Sequence, residues 1–249
     1  MSLRSFVGGL RTIVDAFRAG AAHADKVHVV YGAERHTFAE VRRRSLGIAR
    51  ELRDTYGVGV GDRVAISMRN LPDYPTALWG AAVLGAIVVP LNSWWTGPEL
   101  AYALTDAGAK VAFLDAERLD RVMACRDRAP DVALVAVRTD PPPAGVPTID
   151  ELAASDPIGE DELAQLGPDD PILILYTSGT TGKPKGALAT HRGVNSNIMS
   201  GGCAGARAFL RRGEAPPQPD PNAPQRSTLL SVPFFHATGC FAVLNPMLW

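Results

Sequence analysis

Ile172-Leu173-Ile174-Leu175-Tyr176-Thr177-Ser178-Gly179-Thr180-Thr181-Gly182-Lys183-Pro184-Lys185-Gly186 joins a short apolar run to a loop punctuated by glycines. The run has the length and composition of a buried strand, and the glycines mark where it ends. Gly179, Gly182 and Gly186 let the backbone approach an anion closely. The hydroxyls of Thr177, Ser178, Thr180 and Thr181 add hydrogen-bond donors, and Lys183 and Lys185 add positive charge. Backbone N-H groups, hydroxyls and ammonium groups together suit a phosphate. A Walker A loop, G-x-x-x-x-G-K-[ST], does not fit, because Thr177 stands where its first glycine should be and Pro184 follows Lys183. The spacing predicts that the loop leads from a buried strand to a helix in a parallel-sheet environment.

Working outward, the chain alternates helical and strand-like patterns. Thr37 and Glu40 have capping-box spacing ahead of a helix that keeps Val41, Ile48 and Leu52 on one face and stops at Gly57. Val64, Ile66 and Met68 alternate as in a strand, and Thr96 with Glu99 repeats the capping box. Further strands are expected at Val111 to Leu114 and Val132 to Val137, with a helix over Glu117 to Arg128 between them. The alternation predicts an α/β fold of layered, mainly parallel sheets flanked by helices, whose strand-to-helix loops carry the ligand site. Glu214 to Gln225 is proline-rich and reads as an exposed, mobile loop, after which the segment from Thr228 reads as a buried strand followed by a helix.

Composition narrows the class. The chain has 249 residues, of which 25 are Lys or Arg and 26 are Asp or Glu, so charge offers no case for a nucleic-acid partner. Cys125, Cys203 and Cys240 are widely spaced and odd in number, which indicates neither a disulfide framework nor a zinc site and fits a reducing cytoplasm. Arg4, Arg11, Asp15 and Arg18 interrupt the apolar N-terminus, so an amphipathic helix is expected there rather than a signal peptide. Tyr74 to Pro98 contains no charged residue and is long enough for a membrane span. Pro75, Gly80, Gly85, Pro90 and Asn92 divide it, however, into helix, turn and buried strand, so no transmembrane segment is expected.

The residues Thr177 to Gly186 resemble the signature loop of the adenylate-forming (AMP-binding) superfamily, which includes acyl- and aryl-CoA synthetases, luciferases and peptide-synthetase adenylation domains. Gly61 to Ile66, Asn70, Gly85 to Asn92, Glu99 to Leu104 and Ala109 to Asp115 resemble the N-terminal part of acyl-CoA synthetases in order. Val232 to Gly239 is similar to the family's Pro-x-Phe-His motif. The resemblance implies an incomplete N-terminal AMP-binding domain, with a first α/β subdomain over 27–170 and the start of a second over 171–249.

It further implies an acid-CoA ligase that activates a small-molecule carboxylic acid, fatty or otherwise, with ATP and Mg2+ and passes the acyl group to coenzyme A. By the same resemblance Thr177 approaches the magnesium, Ser178 to Thr181 lie on the phosphates with Gly179, Gly182 and Gly186, and Lys183 and Lys185 stand nearby. His236 takes a place between nucleotide and acyl pocket, where a neutral imidazole can both donate and accept. His191 is expected at a helix N-terminus without a catalytic role, and His23, His28 and His36 lie in no motif. The family's aromatic-Gly-x-Thr-Glu and Arg-Thr-Gly-Asp motifs and its adenylation lysine do not occur, so the chain is expected to be a fragment, inactive alone and prone to self-association through its apolar end. An amino-acid adenylation domain and a catalytically silent nucleotide-binding module are the alternatives. Against the first, Phe235 to Asn245 contains no acid to hold a substrate ammonium.

Overall fold

The computed structural model describes residues 9–177, 182–216, 224–225 and 227–244. Its centre is a six-stranded sheet built from β3 (Arg63–Ser67), β4 (Ile87–Pro90), β5 (Ala109–Asp115), β6 (Ala133–Val137), β7 (Pro171–Thr177) and β8 (Lys185–Thr190). The order is β6-β5-β3-β4-β7-β8, parallel throughout except that β8 runs antiparallel to β7. A separate antiparallel hairpin pairs β1 (Val27–Tyr31) with β2 (Glu34–Thr37).

The strands read as near-continuous apolar runs because both faces of the sheet are covered. Val64, Ile66, Val88, Val111, Phe113, Val135 and Val137 enter one core, and Ala65, Val89, Ala112, Leu114, Leu134 and Ala136 enter the other. The period of two in each strand thus sorts its side chains between two layers. The first layer holds α1 (Ile13–Gly20), α2 (Phe38–Asp54), α3 (Asp73–Ala82), α6 (Ile149–Ala154), α7 (His191–Arg211) and α8 (Ala237–Leu244); the second holds α4 (Gly97–Asp106) and α5 (Ala116–Met123). Here α3 and β4 are the two halves of the charge-free Tyr74 to Pro98 stretch, and α3 is buried along its whole length. Among the described residues no helix is long and apolar enough to cross a membrane.

Local signals set the helix starts. Glu40 N-H donates to Thr37 Oγ1 (3.1 Å) while Thr37 N-H donates to Glu40 Oε2 (2.7 Å), and Thr96 with Glu99 closes the same reciprocal box. Replacing Thr37 by alanine is expected to cost about 1 kcal/mol, read as a lower urea midpoint, because one N-terminal donor of α2 loses its acceptor. An unchanged midpoint would show that the box contributes nothing to folding.

Two expectations are corrected. The glycine-rich loop does not lead into a helix: it closes the β7–β8 hairpin, with Thr177 opposite Lys185 and Tyr176 opposite Gly186, and α7 begins only at His191. The cause is cross-strand packing, since a Cβ on Gly186 would lie 2.6 Å from Ile174 Cγ2 and 3.5 Å from the Tyr176 ring. A glycine there lets the Tyr176 ring cover the opposite strand. Secondly, 227–231 is not a buried strand. No strand pairs with it among the described residues, and Leu229 is 92% exposed. The helix expected after it is present as α8. Of the proline-rich stretch, 217–223 lies outside the described residues.

Candidate active site

In a parallel sheet the carboxyl ends of the strands open onto the loops where ligands bind. Here β3, β4 and β7 deliver to that rim the turn at Arg69 to Leu71, the loop Leu91 to Thr96, and Thr177. Of the loop residues singled out from sequence, Ser178, Gly179, Thr180 and Thr181 lie outside the described residues. Those flanking them form an open cradle. Thr177, Gly182, Lys183 and Lys185 are all exposed, and Gly182 has φ +91° with no heavy atom within 4 Å of where a Cβ would stand. That backbone conformation is one glycine adopts freely, and the open space beside it is what close approach of an anion requires.

The returning arm of the loop is braced by α4. Tyr102 hydroxyl donates to Pro184 O (3.4 Å), and Lys183 Nζ stands 5.3 Å from the centre of the Tyr102 ring. Tyr176 hydroxyl donates to Asp106 Oδ2 at 2.6 Å, and burial together with that carboxylate raises its pKa. The phenol therefore stays protonated and remains a donor.

The second motif reaches the same rim from the opposite end of the chain. Pro233 to His236 forms a turn in which His236 N-H donates to Pro233 O (3.1 Å), and α8 follows. His236 is exposed, and its Nδ1 accepts from Thr238 N-H (3.4 Å), so the imidazole caps the first turn of that helix. A Cβ on Gly239 would lie 2.1 Å from Pro233 O, which fixes glycine where the helix passes beneath the turn.

One loop ties the two motifs together. Trp95 meets the Tyr176 ring edge-on (5.9 Å between centres), and its neighbour Trp94 meets Phe235 edge-on (5.2 Å). Their backbone is held from behind by α5: Arg118 Nε donates to Ser93 O (2.6 Å) and Arg121 Nη1 to Trp95 O (2.7 Å). Arg118 is 1% exposed and also donates to both Asp115 oxygens at 3.0 Å, while Asp115 accepts from Arg69 N-H at 2.9 Å. Sequence reading passes over Trp94, Trp95, Tyr102, Asp106, Asp115 and Arg118. The available signals are the i,i+4 spacing of Tyr102 and Asp106 and the paired tryptophans directly after a strand.

His191 stands apart from this rim. It is the first residue of α7 and is fully buried, and its Nδ1 accepts from Ile13 N-H at 3.1 Å. Burial lowers its pKa to about 4, so the ring is neutral at pH 7 and performs a structural task. Among the described residues no cluster of three His, Cys, Asp or Glu side chains could hold a metal ion.

A mainly parallel α/β sheet with a glycine- and lysine-bearing loop at its carboxyl rim is an arrangement that nucleotide-binding enzymes use. Residues 16–249 match the family of AMP-binding enzymes, and the chain belongs to it. It is 36% identical over 152 residues to the long-chain-fatty-acid–CoA ligase FadD13 of Mycobacterium tuberculosis, covering 58% of this chain and 27% of that one. To a feruloyl-CoA synthase of Streptomyces sp. it is 39% identical over 178 residues, covering 72% and 32% respectively. Its fold superposes with a TM-score of 0.72 on the N-terminal domain of FACL13 from Mycobacterium tuberculosis, at 26% identity, covering 96% of this chain and 55% of that one. With the anthranilate CoA ligase AuaEII in complex with anthranoyl-AMP the TM-score is 0.71 at 26% identity, covering 78% and 37%. The chain thus spans about a third or less of the curated relatives it matches.

Proposed function

We propose that the chain carries the ATP-binding rim of an acid-CoA ligase. The observation that supports this most is the cradle at the tip of the β7–β8 hairpin, where Gly182 is open to close approach and Lys183, Lys185 and Thr177 are exposed around it. In the reaction a substrate carboxylate oxygen attacks the α-phosphorus of ATP, pyrophosphate leaves, and the thiol of coenzyme A then displaces AMP from the acyl-adenylate. Lys183 and Lys185 offset the negative charge that gathers on the leaving pyrophosphate, and the hydroxyls and N-H groups of Thr177 to Gly182 orient it. Magnesium, when bound, neutralises the same phosphate oxygens.

His236 stands at the turn beside Trp94 and Phe235 and orients the activated carboxyl group rather than moving a proton. The absence of any acid over Phe235 to Asn245 favours a fatty, aromatic or other organic acid over an amino acid. The free Cys125, Cys203 and Cys240 suit a reducing, cytoplasmic setting.

The test is a calorimetric titration of the 249-residue chain with magnesium-ATP. Lys185→Ala and Thr177→Ala are expected to weaken binding by roughly tenfold each, the size of one charge-assisted contact. A carboxylic acid ligand should bind both variants as it binds the parent. Equal ATP affinity in the parent and both variants would remove the assigned roles.

A further inference from the structure

The turn that carries His236 has little of its own to hold it in place. The segment before it, 227–231, pairs with no strand among the described residues, and α8 begins only after it. Two of the backbone groups that hold it are bonded by one side chain that follows β3. Asn70 Nδ2 donates to Val232 O at 2.9 Å, and Asn70 Oδ1 accepts from Phe234 N-H at 2.9 Å. The two partners, one acceptor and one donor, determine which way the amide faces, and the side chain stands in for a neighbouring strand.

The Asn70 turn is itself anchored. Arg69 N-H donates to the buried Asp115, Leu71 N-H to Arg69 O (2.7 Å) and Tyr74 N-H to Leu71 O (3.1 Å). A second contact comes from the first turn of α3: the buried Tyr74 donates its hydroxyl to Phe234 O at 3.0 Å, with the two rings 5.2 Å apart. Val232 O and both polar backbone groups of Phe234 are thus taken up by residues 70 and 74.

We propose that Asn70 is the positioning residue of the Phe234–His236 turn, setting where Phe235 stands against Trp94 and where the turn presents the His236 ring. No other side chain of that size carries a donor and an acceptor on two separate atoms of one planar group, as these two partners require. An aspartate would set a carboxylate oxygen against the Val232 carbonyl, and alanine would leave Phe234 N-H without an acceptor. The role at the nucleotide rim rests on the function proposed above; the positioning itself does not.

The test uses the 15N-labelled 249-residue chain with Asn70→Ala and Asn70→Asp at pH 7. Exchange of the Phe234 amide is expected to accelerate by about tenfold or more in Asn70→Ala, which removes its acceptor, and by less in Asn70→Asp, which keeps one but repels the Val232 carbonyl, while exchange of Ile66 in β3, which reports global opening, stays as in the parent. On adding magnesium-ATP, the shift at the His236 ring is expected to shrink in the variants while the shift at Gly182 persists. Unchanged Phe234 exchange overturns the proposal. So does equal weakening at His236 and Gly182, which would mark a general structural defect. If alanine prevents folding, the nearly isosteric aspartate variant carries the same comparison. If the parent shows no ATP shift at all, the proposed nucleotide site fails, and the Phe234 exchange still decides the role of Asn70.

Discussion

Replacing Arg118 by methionine is expected to destabilise the chain by about 3–5 kcal/mol, the usual consequence of removing one partner of a buried ion pair. Methionine fills much of the same volume, so the loss is electrostatic rather than a cavity. The guanidinium is 1% exposed, and its removal leaves Asp115, 6% exposed, with only the backbone N-H groups of Arg69 and residue 118 to neutralise it. Ser93 O loses its shorter donor at the same time and keeps only Arg121 Nη1 at 3.4 Å. Adding Asp115→Asn to Arg118→Met should recover part of the loss, because the uncompensated charge goes while the amide oxygen still accepts. Urea unfolding at pH 7, followed by circular dichroism, measures both changes. A single variant within about 1 kcal/mol of the parent would show that the pair is not what holds the Leu91 to Thr96 loop against α5.

Between pH 6.5 and 5 the chain is expected to lose about 2 kcal/mol of stability through His191 alone, whose pKa falls from the ordinary 6.5 to about 4 on folding. Burial is the main cause, and Asp170 and Asp15 oppose it weakly. The sign follows from proton binding: in this window the unfolded chain takes up the proton and the folded chain does not, so acid favours unfolding. The contribution is therefore complete above pH 6.5 and is lost as pH falls toward 4.

His28 adds to the loss in the same window, since burial also lowers its pKa to about 4, with the ring stacked 4.4 Å from Phe38. Carboxylates do not confuse the reading. Glu34, held down to about 2 by Arg138 and His36, changes stability only below its ordinary 4.5. The check is the denaturant midpoint at pH 7 and pH 5 for the parent and for His191→Asn, which retains an acceptor for Ile13 N-H. Equal pH dependence in the two would show that His191 is not the group responsible.

Helix starts and buried strands are legible in this sequence because their signals are local. A threonine three residues before a glutamate closes a capping box wherever it stands, as at Thr37 and Thr96. β8 is different. Lys185 to Thr190 has little apolar alternation and is exposed over most of its length, with Leu188 60% exposed, so nothing local marks it as a strand. It forms because β7 offers a free edge and Gly186 admits Tyr176, both of which depend on the folded arrangement. The segment from Thr228 fails in the opposite sense: it has the composition of a buried strand and, among the described residues, no neighbour to pair with. At the site, the loop and His236 announce themselves by residue type, whereas Trp94, Trp95 and Asn70 acquire their roles only when β3 and β4 bring them beside residues far along the chain.

Thr177 and Lys185 are partners across an antiparallel ladder, so the two ends of the segment between them arrive side by side before that segment makes any contact of its own. The entropy of bringing those ends together is met by the ladder, and lengthening such a loop adds only about 0.6 kcal/mol per doubling. Substitutions and insertions between Thr177 and Lys185 are therefore expected to leave the sheet that carries them in register. In a strand-to-helix connection the same insertions would shift the register of the helix against its layer. A hairpin confines such changes to the connection itself.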